Sequence, residues 1–230
     1  MPGAALRVAG LACRVADGQR LREILRIESL FLRAGSLVGI RGRSGAGKTT
    51  FLRLISGILL PQAGTIRWDD AEITAMKAPE RDRWRGRNIG FLYQDFRLFE
   101  GLTSLENVLL PLTFYGNFTS RQREEAKAAL EKIGVSPSTP AGLLSRGEMQ
   151  RTALVRVLMQ SPRVILADEP TASLDAENAR RVLDMLEVTA RSLGATLLMV
   201  SHDESVLARF STVLNLEAGT LAASPGRARR

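Results

Sequence analysis

Residues 42–49 read Gly42-Arg43-Ser44-Gly45-Ala46-Gly47-Lys48-Thr49, and this stretch constrains the fold more than any other in the chain. The apolar run Leu37-Val38-Gly39-Ile40 precedes it and reads as a short buried strand. Residues 50–56 follow with a helical pattern whose apolar positions are Phe51, Leu52, Leu54 and Ile55. Strand, glycine-rich loop and helix together are the context that a G-x-x-x-x-G-K-[ST] match needs to read as a phosphate-binding loop. Gly42, Gly45 and Gly47 permit turns that a Cβ would block, so successive N–H groups can converge on phosphate oxygens. The helix that begins there adds unpaired N–H groups and the positive end of its dipole. Lys48 is placed to reach the β- and γ-phosphates, and the Thr49 hydroxyl to ligate Mg²⁺. A glycine turn with a chance Lys-Thr pair would lack the flanking strand and helix. The loop implies a site for a nucleoside triphosphate.

The chain's 230 residues suit one large α/β domain, or one domain with a subdomain. With 45% apolar residues it can build a substantial core, which argues against disorder. No apolar run approaches the roughly 20 residues of a membrane span. Residues 1–7 lack the apolar core and cleavage site of a signal peptide. The single cysteine, Cys13, excludes an intramolecular disulfide framework and fits a reducing compartment; its ordinary role is that of a small buried side chain. A cytoplasmic protein is expected. The formal net charge is +8, and the basic residues other than Lys48, Lys77, Lys127 and Lys132 are arginines or the lone histidine. Two readings fit this charge: attraction to an anionic surface, nucleic acid or the cytoplasmic leaflet, or an arginine-biased composition on solvated faces. Arginines cluster at residues 81–87 and 227–230, but no aromatics interleave with them as a single-strand-binding surface requires. No specific nucleic-acid partner is expected.

Along the chain, residues 6–32 hold two strand-like stretches parted by the turn signal Ala16-Asp17-Gly18-Gln19, which predicts an antiparallel layer. Residues 57–64 read as a loop, 65–68 as a strand, and 73–87 as a charged stretch that starts a helix. Residues 88–93 are strand-like and lead to Gln94. The pattern over 103–134 is helical, clearest over 121–133, and Pro137 and Pro140 break it before a further helix over 144–160. Residues 163–167 form an apolar strand, 176–193 a long amphipathic helix, and 195–200 another buried strand. Such alternation predicts a mostly parallel sheet flanked by helices, with residues 94–160 inserted as a helical subdomain.

The run Val164-Ile165-Leu166-Ala167 delivers Asp168 and Glu169 at its C-terminal end, where open α/β sheets place ligands. Asp168 suits Mg²⁺, which is usually held through few protein oxygens. Glu169, one residue on, is placed to polarise an attacking water as general base. Leu144-Ser145-Arg146-Gly147-Glu148-Met149-Gln150-Arg151 stands before this strand and Ser173-Leu174-Asp175 after it. His202, the chain's only histidine, ends the next apolar strand, where it could bridge the γ-phosphate and Glu169.

At these residues the chain resembles the ATP-binding subunits of ABC transporters, and the resemblance covers nearly its whole length. It implies a P-loop NTPase of the ABC ATPase kind: an α/β fold with a mostly parallel core sheet, an antiparallel β layer and an inserted helical subdomain. Residues 1–230 would form one such domain, with 1–93 and 161–230 as nucleotide-binding core and 94–160 as helical subdomain. Residues 42–49 would be Walker A, Asp168 and Glu169 would close Walker B, Gln94 would be the Q-loop glutamine, residues 144–148 the signature, 173–175 the D-loop, and His202 the switch histidine. ATP would lie against Gly42, Arg43, Ser44, Gly45, Ala46, Gly47, Lys48, Thr49 and Thr50 of one copy, and Ser145, Gly147 and Glu148 of the other. The implied metal is Mg²⁺, on Thr49, Gln94 and Asp168; the implied catalytic residues are Glu169, His202 and Gln94. Partners would be a second copy and an integral membrane permease subunit, which places the chain on the cytoplasmic face of the inner membrane. Residues 94–99, 102–108, Pro111 and Leu112, together with Ala167-Asp168-Glu169-Pro170-Thr171, look like the lipoprotein-releasing, macrolide-exporting and cell-division subgroup.

Two positions depart from the family pattern. Arg146 stands where the signature usually has glycine, and would restrict the backbone if that site required positive φ. Where many members stack an aromatic residue on adenine, this chain has Arg14 or Val15. By the same resemblance, Phe99 and Leu102 would edge a groove that receives the membrane subunit; packing within the helical subdomain is the competing role. A soluble ABC-type ATPase acting on DNA or the ribosome is the alternative function, although such relatives usually carry coiled-coil insertions or two fused cassettes. A small-molecule kinase would share the phosphate loop but leave Gln94, residues 144–151 and His202 unexplained.

Overall fold

The computed structural model describes residues 2–17, 20–114, 116–172 and 174–224. Hence Ser173, Gly18 and Gln19 of the predicted turn, and the basic 227–230 tail lie outside the described residues. Ten strands and seven α-helices form within the described residues, starting with the hairpin β1 (Leu6–Asp17) and β2 (Arg20–Leu32). β3 (Leu37–Arg41) leads through the glycine loop to α1 (Lys48–Ile55). β4 (Ala63–Trp68), β5 (Ala71–Glu72), α2 (Ala78–Asn88) and β6 (Ile89–Leu92) follow. Three helices come next, α3 (Ser104–Thr113), α4 (Ser120–Lys132) and α5 (Arg146–Met159). The chain returns through β7 (Val164–Asp168), α6 (Ala176–Leu193), β8 (Thr196–Val200) and α7 (Glu204–Leu207), and closes with β9 (Thr212–Glu217) and β10 (Thr220–Ser224).

Two sheets result. The antiparallel one runs β2-β1-β4-β5, so the 65–68 strand joins the N-terminal layer. The other runs β10-β9-β3-β8-β7-β6, parallel except for its edge pair β9–β10. The central strands β7 and β8 are buried on both faces, as parallel strands between two layers must be. Val164 and Leu166 of β7, with Leu198 and Val200 of β8, meet α1 and the antiparallel layer through Phe51, Ile55, Leu6 and Trp68. The alternate residues Ile165, Ala167, Leu197 and Met199 pack on the other side with Leu154, Leu183, Leu186 and Phe210. Each such large apolar side chain, fully withdrawn from water, contributes about 1.5–3 kcal/mol.

The three middle helices enclose a cluster of their own, Leu105, Val108, Leu109, Ala126, Leu130, Val135, Leu144 and Val155. Each begins with a reciprocal cap: Thr103 with Glu106, Thr119 with Gln122, Ser145 with Glu148. The helical pattern over 103–134, clearest over 121–133, thus resolves into two helices, α3 ending at Thr113 and α4 beginning at the Thr119 cap. The helix expected from residue 73 starts only at Ala78, because Ile73 is fully buried beside β5 and its N–H bonds Ile66. Sequence reading assigned no element after residue 202. There β9 and β10 form a hairpin whose two-residue turn, Ala218-Gly219, has φ of 46° and 80°, the geometry that matches strand twist.

Candidate active site

Three neighbouring strand ends build the site. Ile40 of β3 is in register with Val200 of β8, and Val200 with Asp168 of β7. Beyond that row, the three strands release the glycine loop, Ser201-His202 and Glu169 side by side. β6 pairs with β7 up to Leu92↔Ala167, which sets Gln94 two residues past the same edge. Ser201 N–H bonds the Ile40 carbonyl at 3.1 Å and Glu169 N–H the Val200 carbonyl at 3.1 Å, so the ladder extends into the loops. The parallel register thus converts four separated sequence positions into one row.

In the glycine loop, Gly45 and Gly47 take φ of 76° and 98°, open to glycine and costly for residues bearing a Cβ. Gly42 has a different reason, since a Cβ there would lie 2.6 Å from the Leu216 carbonyl oxygen. Lys48 is only 8% exposed, and its Nζ donates to the carbonyls of Gly42 at 2.8 Å and Arg43 at 3.1 Å. The ammonium is thereby held over the loop that carries it. Glu169 Oε1 lies 3.7 Å from that nitrogen, and Glu169 Oε2 lies 2.9 Å from Nδ1 of His202. An ionised carboxylate only accepts, so the contact requires the proton on Nδ1. Glu169 holds φ 46° without being a glycine, a backbone state concentrated at functional sites.

Asp168 is buried, and desolvation pushes its carboxyl above the ordinary aspartate value; the neighbouring Glu169 charge adds to this, while a Thr49 hydrogen bond and Lys48 oppose it. Thr49 and Asp168 offer hard oxygens, too few to enclose a cation, which suits Mg²⁺ completed by water and phosphate. Among the described residues, no group of three or more His, Cys, Asp or Glu side chains could hold a metal by itself.

A cleft of about 370 Å³ gathers Ser44, Gly45, Gly47, Lys48, Thr49 and Thr50 with Gln94, Asp168 and Glu169. Val15 and Ile24 supply its apolar wall. Of the two residues considered for the base, Val15 therefore lines the cleft, while Arg14 turns to Glu23, 3.6 Å away. Gly42, Arg43, Ala46 and His202 line an adjoining cleft of about 650 Å³ on the other side of the loop. Neither cleft includes Ser145, Gly147 or Glu148. These three sit at the start of α5, where the Ser145 hydroxyl and N–H both bond the Glu148 carboxylate and hold it below the usual carboxylate range. Arg146 occupies the first helical turn and is absent from the positive-φ residues, so its position does not need glycine.

Two further residues, quoted within the motifs above without a role of their own, shape the site. Gln150 is fully buried and its amide donates to the Pro170 carbonyl, next to Glu169. Asn107, also fully buried, bonds the carbonyls of Phe99, Leu102 and Thr103 and the N–H of Phe99. It thereby shapes the segment of the expected groove, where Phe99 is 58% exposed while Leu102 is half-buried. An apolar stretch interrupted by one Asn was the available signal.

Comparison with known proteins places these features in a group. The sequence model described as ABC transporter matches residues 25–172. A lipoprotein-releasing system ATP-binding protein LolD of Idiomarina loihiensis is 33% identical over 223 residues, covering 96% of this chain and 98% of that protein. LolD 1 of Caulobacter vibrioides is 38% identical over 208 residues, covering 89% of each. Among solved structures, the dimeric structure of MJ0796, a bacterial ABC transporter cassette, superposes with a TM-score of 0.90 at 28% identity, covering 97% of this chain and 100% of the other. A post-hydrolysis dimer of the same cassette bound to ADP and Pi gives 0.89.

Proposed function

The chain belongs to the ABC transporter family, and from that membership and the geometry of the cleft we propose how it works. It is an ATP-binding subunit that hydrolyses ATP, similar over almost its full length to LolD proteins. The relatives named give no support to a cassette acting on DNA or the ribosome. Gly42 to Thr50 bind the triphosphate by backbone N–H groups and the Lys48 ammonium, while Val15 and Ile24 give the base apolar contact in place of an aromatic stack. Glu169 accepts the proton of the water that attacks the γ-phosphorus, and His202, donating from Nδ1, keeps that carboxylate aimed. Gln94 orients the γ-phosphate side of the cleft. Thr49, Asp168 and Gln94 would hold Mg²⁺, which would neutralise charge on the triphosphate.

The observation that carries this reading is the line Lys48–Glu169–His202 across three adjacent strand ends. Because Ser145, Gly147 and Glu148 stand outside their own cleft, they serve the nucleotide of a second copy, and two chains close head to tail around two ATP molecules. The dimeric cassette structures support that arrangement. The dimer drives an integral membrane subunit of the lipoprotein-releasing kind from the cytoplasmic face of the membrane, with Phe99 at the docking edge. No helix among the described residues is long and apolar enough to cross a membrane itself. Sedimentation of the Glu169→Gln chain tests the closure: Mg-ATP should convert it from monomer to dimer, and a monomer with and without nucleotide, at tens of micromolar, would reject the sandwich.

A further inference from the structure

Six described residues other than glycine take positive φ, and two of them are consecutive: Phe96 at 57° and Arg97 at 47°. Left-handed backbone is costly for any residue bearing a Cβ, and two in succession need an external hold. They lie two and three residues after Gln94, so their conformation sets where Gln94 emerges at the cleft. The hold comes from sixty residues away. Arg156 of α5, 8% exposed, donates from Nη2 to the Phe96 carbonyl at 2.5 Å and from Nη1 to the Arg97 carbonyl at 2.6 Å. The Phe96 ring is buried in the same cluster as Leu154 and Val157, which flank Arg156 on its helix.

Arg156 has no carboxylate partner among the described residues, and burial pulls its guanidinium below the usual arginine value. A buried cation paired only with two carbonyls is an expensive way to fill space, since an apolar side chain of similar volume would pack more cheaply. What an apolar residue cannot supply is a planar fork spanning two successive carbonyls. The same helix reaches the other side of the cleft, where Gln150 bonds Pro170 beside Glu169. Its first turn carries the Ser145 cap.

We propose that Arg156 is a positioning residue that clamps the Gln94 loop in its left-handed form, so that Gln94 is fixed at the cleft and moves with α5. Movement of the Ser145 end of α5 against a second copy is then transmitted to Gln94 through a rigid, bidentate contact. This inference rests on the role given to Gln94 above.

The experiment is a double-mutant cycle on the full chain, with Arg156→Lys, Gln94→Ala and the pair, reading kcat, nucleotide Kd and melting temperature. Lysine keeps the charge but not the fork. Arg156→Lys should lower kcat about tenfold, the loss of one hydrogen bond to a charged group. Nucleotide Kd should stay within about threefold, because the glycine loop is untouched. In the Gln94→Ala background the same change should cost less than about twofold, since the two act through one geometry. Full multiplication of the two effects, or equal losses in kcat and Kd, overturns the clamp and leaves Arg156 as packing. Wild-type hydrolysis by Gln94→Ala overturns the reading of Gln94 and this proposal with it. If Arg156→Lys does not fold, hydrogen exchange of the native chain decides. The clamp requires the amides of Phe96 and Arg97, bonded to Tyr93 and Asp95, to exchange as slowly as those of α5. Exchange as fast as in the exposed residues 116–117 refutes it.

Discussion

The glycine loop and the Gln94 loop border the same cleft, and both turn through left-handed backbone, but by opposite means. The first uses Gly45 and Gly47, whose φ of 76° and 98° needs no partner. The second uses Phe96 and Arg97, with Glu169 at 46° opposite, and holds them through Arg156 and the β8 ladder. A loop built from glycine keeps its shape whatever the rest of the molecule does. One built from strained side chains keeps its shape only while distant contacts persist, so it can report on them. The proposed phosphate cradle is thus fixed, whereas Gln94 and Glu169, proposed to act on the γ-phosphate, depend on other elements.

The largest expected effect separates the two halves chemically. Glu169→Gln should keep nucleotide affinity and slow hydrolysis by about 10²–10⁴-fold, the usual worth of a general base. Lys48→Ala should weaken nucleotide binding about ten- to a hundredfold, as one or two charge-assisted hydrogen bonds are lost. Steady-state turnover alongside equilibrium binding checks both, and near-normal turnover by Glu169→Gln would remove the proposed base.

A smaller effect compares the backbones. Gly47→Ala forces a Cβ into φ 98°, with Leu25 Cδ2 at 3.0 Å and the Ile24 carbonyl at 3.3 Å. At about 1–3 kcal/mol, and about 2–4 °C per kcal/mol for a chain of this size, the melting temperature should fall by several degrees. Arg97→Gly relieves a strained φ while freeing the unfolded chain, so its melting temperature should change by no more than about 3 °C in either direction. Equal losses from both would mean that the two loops are held alike.

The smallest effect concerns pH. Because the folded state raises the pKa of Asp168, it binds a proton more readily than the unfolded chain does. Stability contributed by the protonated group is therefore lost as pH rises from the ordinary aspartate value through the raised one. Asp168→Asn should be at least as stable as the native chain at neutral pH, and should lack the part of the slope that begins above the ordinary aspartate value. Melting curves across that range in the absence of metal test the sign; a native chain whose Asp168 contribution grows with pH would contradict the burial argument. Metal-dependent hydrolysis by the same variant should be lost.

Elements driven by local signals were legible in the sequence. The spans of α6 and β7, and the loop between β3 and α1, follow from apolar periodicity, an Asp cap at Asp175 and glycine spacing. The boundary between α3 and α4 was also written there, in the capping pairs at Thr103, Thr119 and Ser145, but the apolar pattern across residues 103–134 obscured it. The hairpin after residue 210 carried the turn signal Ala218-Gly219 and the apolar residues Val213, Leu214 and Leu216 of β9, which pairs with β3 on one side and with the edge strand β10 on the other.

By itself the sequence determined the phosphate-loop motif and two acidic residues after a buried strand, because each of these encodes its own local geometry; a glutamine and a histidine joined them through the family resemblance. The tertiary structure alone decided the contacts that span the chain. It set Val15 rather than Arg14 against the cleft, let Arg146 enter a helix without strain, and joined Arg156 to Phe96 and Arg97. Hydrogen bonds between residues sixty positions apart leave no period or spacing in a sequence. Only the packing of α5 against β6 brings those groups within reach.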